Sequence, residues 1–459
     1  MDETLLRENN NPFVSGPILK PLIRFALPVL LALFLQVMYS AVDMWVVGQF
    51  SAAVDVSAVS TGGQVLATLT MMVTGLSMGI TILVGQYIGQ QRPREAGAAI
   101  GSGIASFLLV GLIFTAAAVS LSGPIASLLN APAEAFEETV QYIRICTGGF
   151  VFIVAYNILG SIFRGIGDSR MPLITVAIAC AINIGLDLLF VAVFDMGAAG
   201  AACATVIAQA VSVGLSYFII RRRRLPVVME RRDIRFDWHI IGRIMKLGVP
   251  IALQDTLVSI SFLVLLGIVN AISLEASAGM GVAERLIGFI LLVPSAFMQS
   301  MSAFVAQNIG AAKPERARTA LRYGVLLSLA MGVLMAWLSF FHGDTLAMLF
   351  DKETAIVEQA YDYLRAYSFD CLLTSFLFCF IGYFNGCGRT FFVMLQGLIG
   401  AFCVRIPVAY FVSRLSGVTL FHIGLATPVS TVVQILICLA YFLNMRRKEK
   451  NGMVIESVA

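Results

Sequence analysis

The chain has 459 residues, 59% hydrophobic and 13% charged, with a mean hydropathy of +0.88 and a formal net charge of +4. Soluble domains carry about 25% charged residues, so this composition excludes a soluble globular protein and points to an integral membrane protein. The apolar runs reach about 20 residues, which suits spanning helices and excludes the short strands of a membrane barrel. A nucleic-acid partner is not expected, because the basic residues sort to the ends of the apolar runs instead.

The first twenty residues, MDETLLRENNNPFVSGPILK, are polar and lack a small-residue cleavage site, so no signal peptide is expected. Twelve spans follow in chain order. They cover 19–49, 55–82, 95–121, 135–161, 170–194, 197–220, 239–270, 277–303, 316–341, 355–383, 390–413 and 421–445. The first contains Pro28 and ends in YSAVDMWVVG, where Asp43 follows an uncharged run from Phe25 to Val42. A carboxylate there costs roughly 2.5–3.5 kcal/mol on insertion scales, so partners are expected for it. The fifth span holds a second acid, Asp187, with Asn183 one helical turn earlier on the same face. Thr205 enters the sixth span from the opposite end.

The connections alternate in charge. QQRPRE (90–95), RGIGDSR (164–170), RRRRLPVVMERRDIR (221–235), AKPERAR (312–318), GCGRT (386–390) and the tail RRKEK (446–450) form one set. The intervening connections carry Lys352 and Arg414 as their basic residues. By the positive-inside rule the basic set and both termini are cytoplasmic, in a multi-pass protein of the plasma membrane. Cytoplasmic Arg24 and Arg170 then place Asp43 and Asp187 roughly 25–29 Å deep, in the outer half of the bilayer, at a rise of about 1.5 Å per residue.

The halves repeat. VGQYIGQQRPREA (84–96) matches VAQNIGAAKPERA (305–317), and FRGIGDS (163–169) matches FNGCGRT (384–390), both 221 residues apart. Pro28 and Pro250 stand 222 apart. The expected fold is therefore all-α, with twelve transmembrane helices in two pseudo-symmetric six-helix bundles. The first lobe is 1–220, the basic linker 221–238, and the second lobe with its tail 239–459. Repeats of this kind suggest a transporter with alternating access.

Other residue types offer little chemistry. The eight cysteines (146, 180, 203, 371, 379, 387, 403 and 438) form no CxxC pair and read as small packing residues. His239, His342 and His422 make no metal-binding motif. No catalytic constellation is visible, and no enzyme is expected. GIGD (165–168) is a turn without a preceding strand, hence no nucleotide loop.

Taken in order, the helix with Pro28 and Asp43, the paired VGQ-IG and VAQ-IG segments, the FRGIGDS and FNGCGRT loops and GAAGAACAT (197–205) resemble the MATE family. These are the multidrug and toxic compound extrusion transporters, and the likeness runs from Pro28 to the last span. The resemblance implies a V-shaped pair of lobes that exports cationic, amphipathic compounds against inward Na⁺ or H⁺, with no cofactor and a single chain as the working unit. It implies a cation or proton site at Asp43, Asn183, Asp187 and Thr205, the one place where a metal ion, Na⁺, is anticipated. Tyr39 and Asn157 fall on positions that resemble lumen-lining residues, and Pro28 on a proline where helix 1 is proposed to bend. Two nearby acids in low dielectric do not both ionise freely, so ion and cationic drug would compete for one charge. Tyr39 alternatively packs, and Asn157 alternatively closes an interhelical contact.

The second lobe departs from branches with working acids there. Asp255 sits near the start of the seventh span, with Ser259 and Ser261 further in. Asp370, Glu284, Arg285 and Arg405 read as a salt-bridge network, more structural than transporting. The alternative function is a flippase for a lipid-linked precursor. A flippase for an anionic headgroup needs several cations in its cavity, and the first lobe has Arg144 alone inside a span.

Overall fold

The computed structural model describes residues 11–222 and 225–451. The polar stretch 1–10, two arginines of the basic linker (223 and 224) and the end of the tail lie outside the described residues. Among the described residues there are helices and turns but no strand. The first half contains α1 (Leu19–Phe50), α2 (Ala53–Gly89), α3 (Pro93–Ser120), α4 (Ser122–Leu128), α5 (Phe136–Gly148), α6 (Phe150–Ile166), α7 (Arg170–Asp187) and α8 (Gly197–Arg222). The second contains α9 (Trp238–Asn270), α10 (Leu274–Ile290), α11 (Leu292–Gly310), α12 (Pro314–Phe341), α13 (Gly343–Ala347), α14 (Thr354–Gly386), α15 (Thr390–Leu398), α16 (Ile406–Val412), α17 (Leu420–Gly424) and α18 (Ala426–Lys450).

Among the described residues ten helices are long and apolar enough to cross a membrane, and two bent pairs bring the number to as many as twelve. The bent pairs are the expected fourth and eighth spans, broken by 48° between α5 and α6 and by 40° between α10 and α11. Each break has a local cause. At the first, Gly148 and Gly149 follow one another, and a Cβ on Gly149 would come 2.3 Å from a Val206 methyl. The second break, at Leu291, precedes Pro294, whose ring removes the amide that would bond to the Ile290 carbonyl. Two spans also contain π-helical turns, Leu188–Val193 after α7 and Ile399–Arg405 between α15 and α16.

Contacts divide the chain into two compact units. One is Leu27–Ala252; the other runs from Leu253 onward and includes the residues up to Ala26. The contact units and the repeat halves differ at their ends. The boundaries fall inside α1 and α9, close to Pro28 and Pro250. In the unit from Leu27, α2 packs on α3, α5 and α6, and α8 packs on α5, α6 and α7. In the other, α14 is central and touches α10, α11, α12, α17 and α18.

The segment before α1 is pinned within that second unit. The Arg316 guanidinium donates to the carbonyls of Phe13 (2.9 Å), Ser15 (3.0 Å) and Gly16 (2.6 Å), and Lys313 Nζ to that of Val14 (2.9 Å). The Phe13 ring lies 5.0 Å from Phe25 and 4.9 Å from Phe304. Its counterpart before α9 lies on α3, where the Val228 amide donates to the Pro93 carbonyl (3.1 Å) and Gly97 leaves room for the Val228 carbonyl.

Candidate cation site

Three helices of the unit from Leu27 bring polar residues into one buried layer. α1 contributes Tyr39 and Asp43, one turn apart. α7 contributes Asn183 and Asp187, again one turn apart, and α8 contributes Thr205. The i, i+4 spacing sets each pair on a single helix face. Asp43 is 6% exposed, Thr205 4%, and Asn183 and Asp187 are fully buried. The two carboxyls face each other, Asn183 lies beside Asp187, and the Tyr39 hydroxyl faces Thr205. The five expected site residues other than Pro28 and Asn157 thus meet in one cluster.

An apolar layer lies one turn beyond. Val46 and Val47 follow Asp43, Val191 follows Asp187, and Ala201 and Ala202 precede Thr205; all join one core cluster with Tyr142 and Cys146. Tyr142 and Cys146, one turn apart on α5, also feel the charge of Asp43. Sequence reasoning missed them because nothing in the sequence of α5 shows which helix its face meets.

The cluster is rich in oxygen, and its polar atoms are left unpaired. Asp43 Oδ1, both oxygens of Asp187, both side-chain polar atoms of Asn183, Thr205 Oγ1 and the Tyr39 hydroxyl are buried without a hydrogen-bond partner among the described residues. Neither acid has an ion-pair partner among them. Leaving buried polar groups unpaired is costly, and the shared deficit here is positive charge. Two carboxylates, an amide, a hydroxyl and a phenol suit a proton or a hard monovalent cation; they lack the nitrogen and sulfur donors that favour transition metals.

Asn157 points elsewhere. Its amide donates to the Ile153 carbonyl (2.8 Å), and its carbonyl oxygen accepts from Thr74 Oγ1 (2.9 Å), which ties α6 to α2. The neighbouring Tyr156 instead lines a small cavity with Gln36, Tyr39, Cys180 and Gln209. Gln36 Nε2 donates to the Tyr156 hydroxyl at 3.3 Å. Gln36, Tyr156 and Gln209 were not expected from the sequence, though each is polar within an apolar run. Pro28 lies inside α1, which continues unbroken through it.

In the other unit the expected salt-bridge network is not formed. Among the described residues no ion pair within 4 Å joins Asp370, Glu284, Arg285 or Arg405. Arg405 Nη1 donates to Ser261 Oγ (2.9 Å), and its guanidinium stacks over Phe262, 4.1 Å from the ring centre. The π-helical turn ending at Arg405 redirects the side chain in a way that periodicity does not reveal.

Comparison with known proteins agrees with this architecture. The MatE family model matches the chain twice, over residues 28–189 and 250–411, which restates the internal repeat. The probable multidrug resistance protein YpnP of Bacillus subtilis (strain 168) is 26% identical over 397 residues, 86% of this chain and 88% of its own length. The multidrug export protein MepA of Staphylococcus aureus (strain MRSA252) is 27% identical over 421 residues, 89% and 90% of the two chains. Among solved structures, MATE in the straight conformation superposes with a TM-score of 0.90 at 20% identity, covering 96% of this chain and 99% of that one. An outward-facing multidrug resistance MATE family transporter of the MOP superfamily gives 0.89 at 20% identity, over 96% and 99%. With two copies of the family model covering most of its length, and a fold of spanning helices in two repeated halves, this chain belongs to the MatE family.

Proposed function

We propose that the protein exports cationic, amphipathic compounds across the cell membrane by antiport against H⁺ or Na⁺, with alternating access between its two halves. The relatives named as multidrug resistance and export proteins support drug export, and the buried acids favour cationic compounds. The observation that carries the coupling is the facing pair Asp43 and Asp187, buried and without a cation among the described residues.

The chemistry follows from charge. An ionised pair attracts a cationic drug towards the polar side chains Gln36, Tyr39 and Tyr156. A proton or Na⁺ that neutralises the pair removes that attraction and releases the drug. Asn183, Thr205 and Tyr39 supply neutral oxygens that accept the ion once its water is lost. With the basic connections facing the cytoplasm, the acids lie in the outer half of the bilayer, on the side from which the ion gradient delivers its load. Pro28 has no amide to bond to the Arg24 carbonyl, which makes that turn the most easily bent part of α1. One chain carries both halves, so no second copy is needed to complete the site.

The test is export of a fluorescent cationic dye from proteoliposomes under separate Na⁺ and pH gradients. Wild type exports under one of them, and that gradient names the ion. Asp43→Asn, folded and inserted, loses gradient-driven export. Full export by Asp43→Asn would overturn the coupling assignment.

A further inference from the structure

The repeat can be followed residue by residue into the second unit, and there it reverses polarity. From Pro28 and Pro250, at a separation of 222, Tyr39 corresponds to Ser261 and Asp43 to Leu265. Burial agrees, since Asp43 and Leu265 are both buried, as are Val47 and Val269. Ala204-Thr205 corresponds to Ala426-Thr427 at the same separation, and all four residues are buried. In the fifth and eleventh spans the separation starts at 221, in FRGIGDS and FNGCGRT, and the family matches end at 189 and 411, which are 222 apart. The π-helical turn Ile399–Arg405 absorbs the extra residue. Beyond it, Asn183 corresponds to Arg405 and Asp187 to Ala409, all four buried.

The two acids of the first unit are thus leucine and alanine in the second, and the amide is a guanidinium. The hydrogen bond from Arg405 to Ser261 joins the counterparts of Asn183 and Tyr39. The second unit has an acid of its own. Asp370, on α14, is 1% exposed and lies within electrostatic reach of Arg405, which is 5% exposed. Tyr367 and Thr431 face the carboxyl, yet its Oδ1 has no hydrogen-bond partner among the described residues. Glu284, half-buried, faces Tyr363 beside them. The corresponding place for Asp370 in the first unit is Gly149, at the α5–α6 break.

We infer that Arg405 is a tethered cation: it stands where a free proton or Na⁺ is held in the first unit, and it masks a monovalent-cation site at Asp370 in the second. The guanidinium neutralises Asp370 through the low-dielectric interior without touching it. Stacking on Phe262 and the bond to Ser261 hold it there. A second unit that carries its own cation has no vacancy for an ion, and coupling is left to the first. Only this comparison rests on the function proposed for Asp43 and Asp187; the latent site at Asp370 stands on its own residues.

The test uses the full chain in lipid nanodiscs and reads both candidate ions. Radioactive sodium gives the number of Na⁺ bound, and infrared absorption gives protonated carboxyls. Arg405→Gln gains either one Na⁺ per chain or one protonated-carboxyl band over wild type. Adding Asp370→Asn abolishes the gain, and Arg405→Lys, which keeps the charge, shows none. A folded Arg405→Gln with neither gain overturns the inference, as does a gain that survives Asp370→Asn. If Arg405→Gln does not fold, Tm decides. Asp370→Asn strands a buried guanidinium and lowers Tm, and the double variant Asp370→Asn with Arg405→Gln recovers it; no recovery overturns the inference. Asp43→Asn measured in parallel reports the first site alone. Failure of the antiport reading would therefore show there and leave the Arg405→Gln gain intact.

Discussion

Asp187→Asn separates the electrostatic reading of the buried pair from mere packing. The amide keeps the size of the carboxyl and its place beside Asn183, but it cannot carry a charge. Two like charges in side-chain contact repel by about 4 kcal/mol at an effective dielectric of about 20. Asp187 is fully buried and Asp43 is 6% exposed, so solvent screens little of this. The figure is an upper bound, because either carboxyl can give up its charge by taking a proton. With no ion bound, wild type bears that strain, and binding H⁺ or Na⁺ relieves it. The wild-type Tm is therefore expected to rise by several degrees with the coupling ion. In Asp187→Asn the ion-free Tm is higher than that of wild type, and the dependence on the ion is largely lost. The assay is thermal unfolding of the purified protein in lipid, across Na⁺ concentrations at fixed pH and across pH without Na⁺. A wild-type Tm indifferent to both, or an Asp187→Asn variant with the full ion response, would refute the reasoning.

Other substitutions test the packing that positions this layer. Gly149→Ala drives a Cβ to 2.3 Å from Val206, next to Thr205. It should cost about 1–3 kcal/mol, as overpacking does, while Gly148→Ala, which meets nothing within 4 Å, serves as a near-neutral control in the same Tm measurement. Thr74→Val and Asn157→Leu should each cost about 1–3 kcal/mol by stranding the other's polar group. The double variant should cost less than their sum, a coupling that a double-mutant cycle in Tm reads directly. Arg316→Ala should release residues 11–17, seen as faster hydrogen exchange there with α12 unaffected.

Much of the fold could be read in the sequence for reasons of length and sorting. A helix must run about 20 residues to cross the hydrocarbon layer, so the twelve spans stood out, and the ten long helices and two bent pairs among the described residues agree with them. The two halves were legible because their loops recur at one separation. Asp43 and Asp187 were conspicuous because charge is rare and costly in such runs.

What the sequence did not disclose depends on which face of a helix meets which neighbour. Asn157 and Tyr156 are adjacent, yet successive residues on a helix point about 100° apart. One therefore bonds to Thr74 across to α2 and the other lines the cavity. Tyr142 and Cys146 join the acids from a helix about 100 residues away from Asp43 in the chain, and contacts of that range leave no periodic trace. The breaks at Gly149 and Leu291 and the two π-helical turns interrupt spans whose hydropathy is continuous. Arg405 looked like a partner in a salt bridge; the turn before it sets it instead on Ser261 and Phe262. Composition and repetition determined the spans, their number and the presence of buried acids, because bilayer thickness and charge burial act on every segment alone. Only the tertiary structure decided which polar groups meet, because that depends on helix rotation and on single-residue insertions that hydropathy does not register.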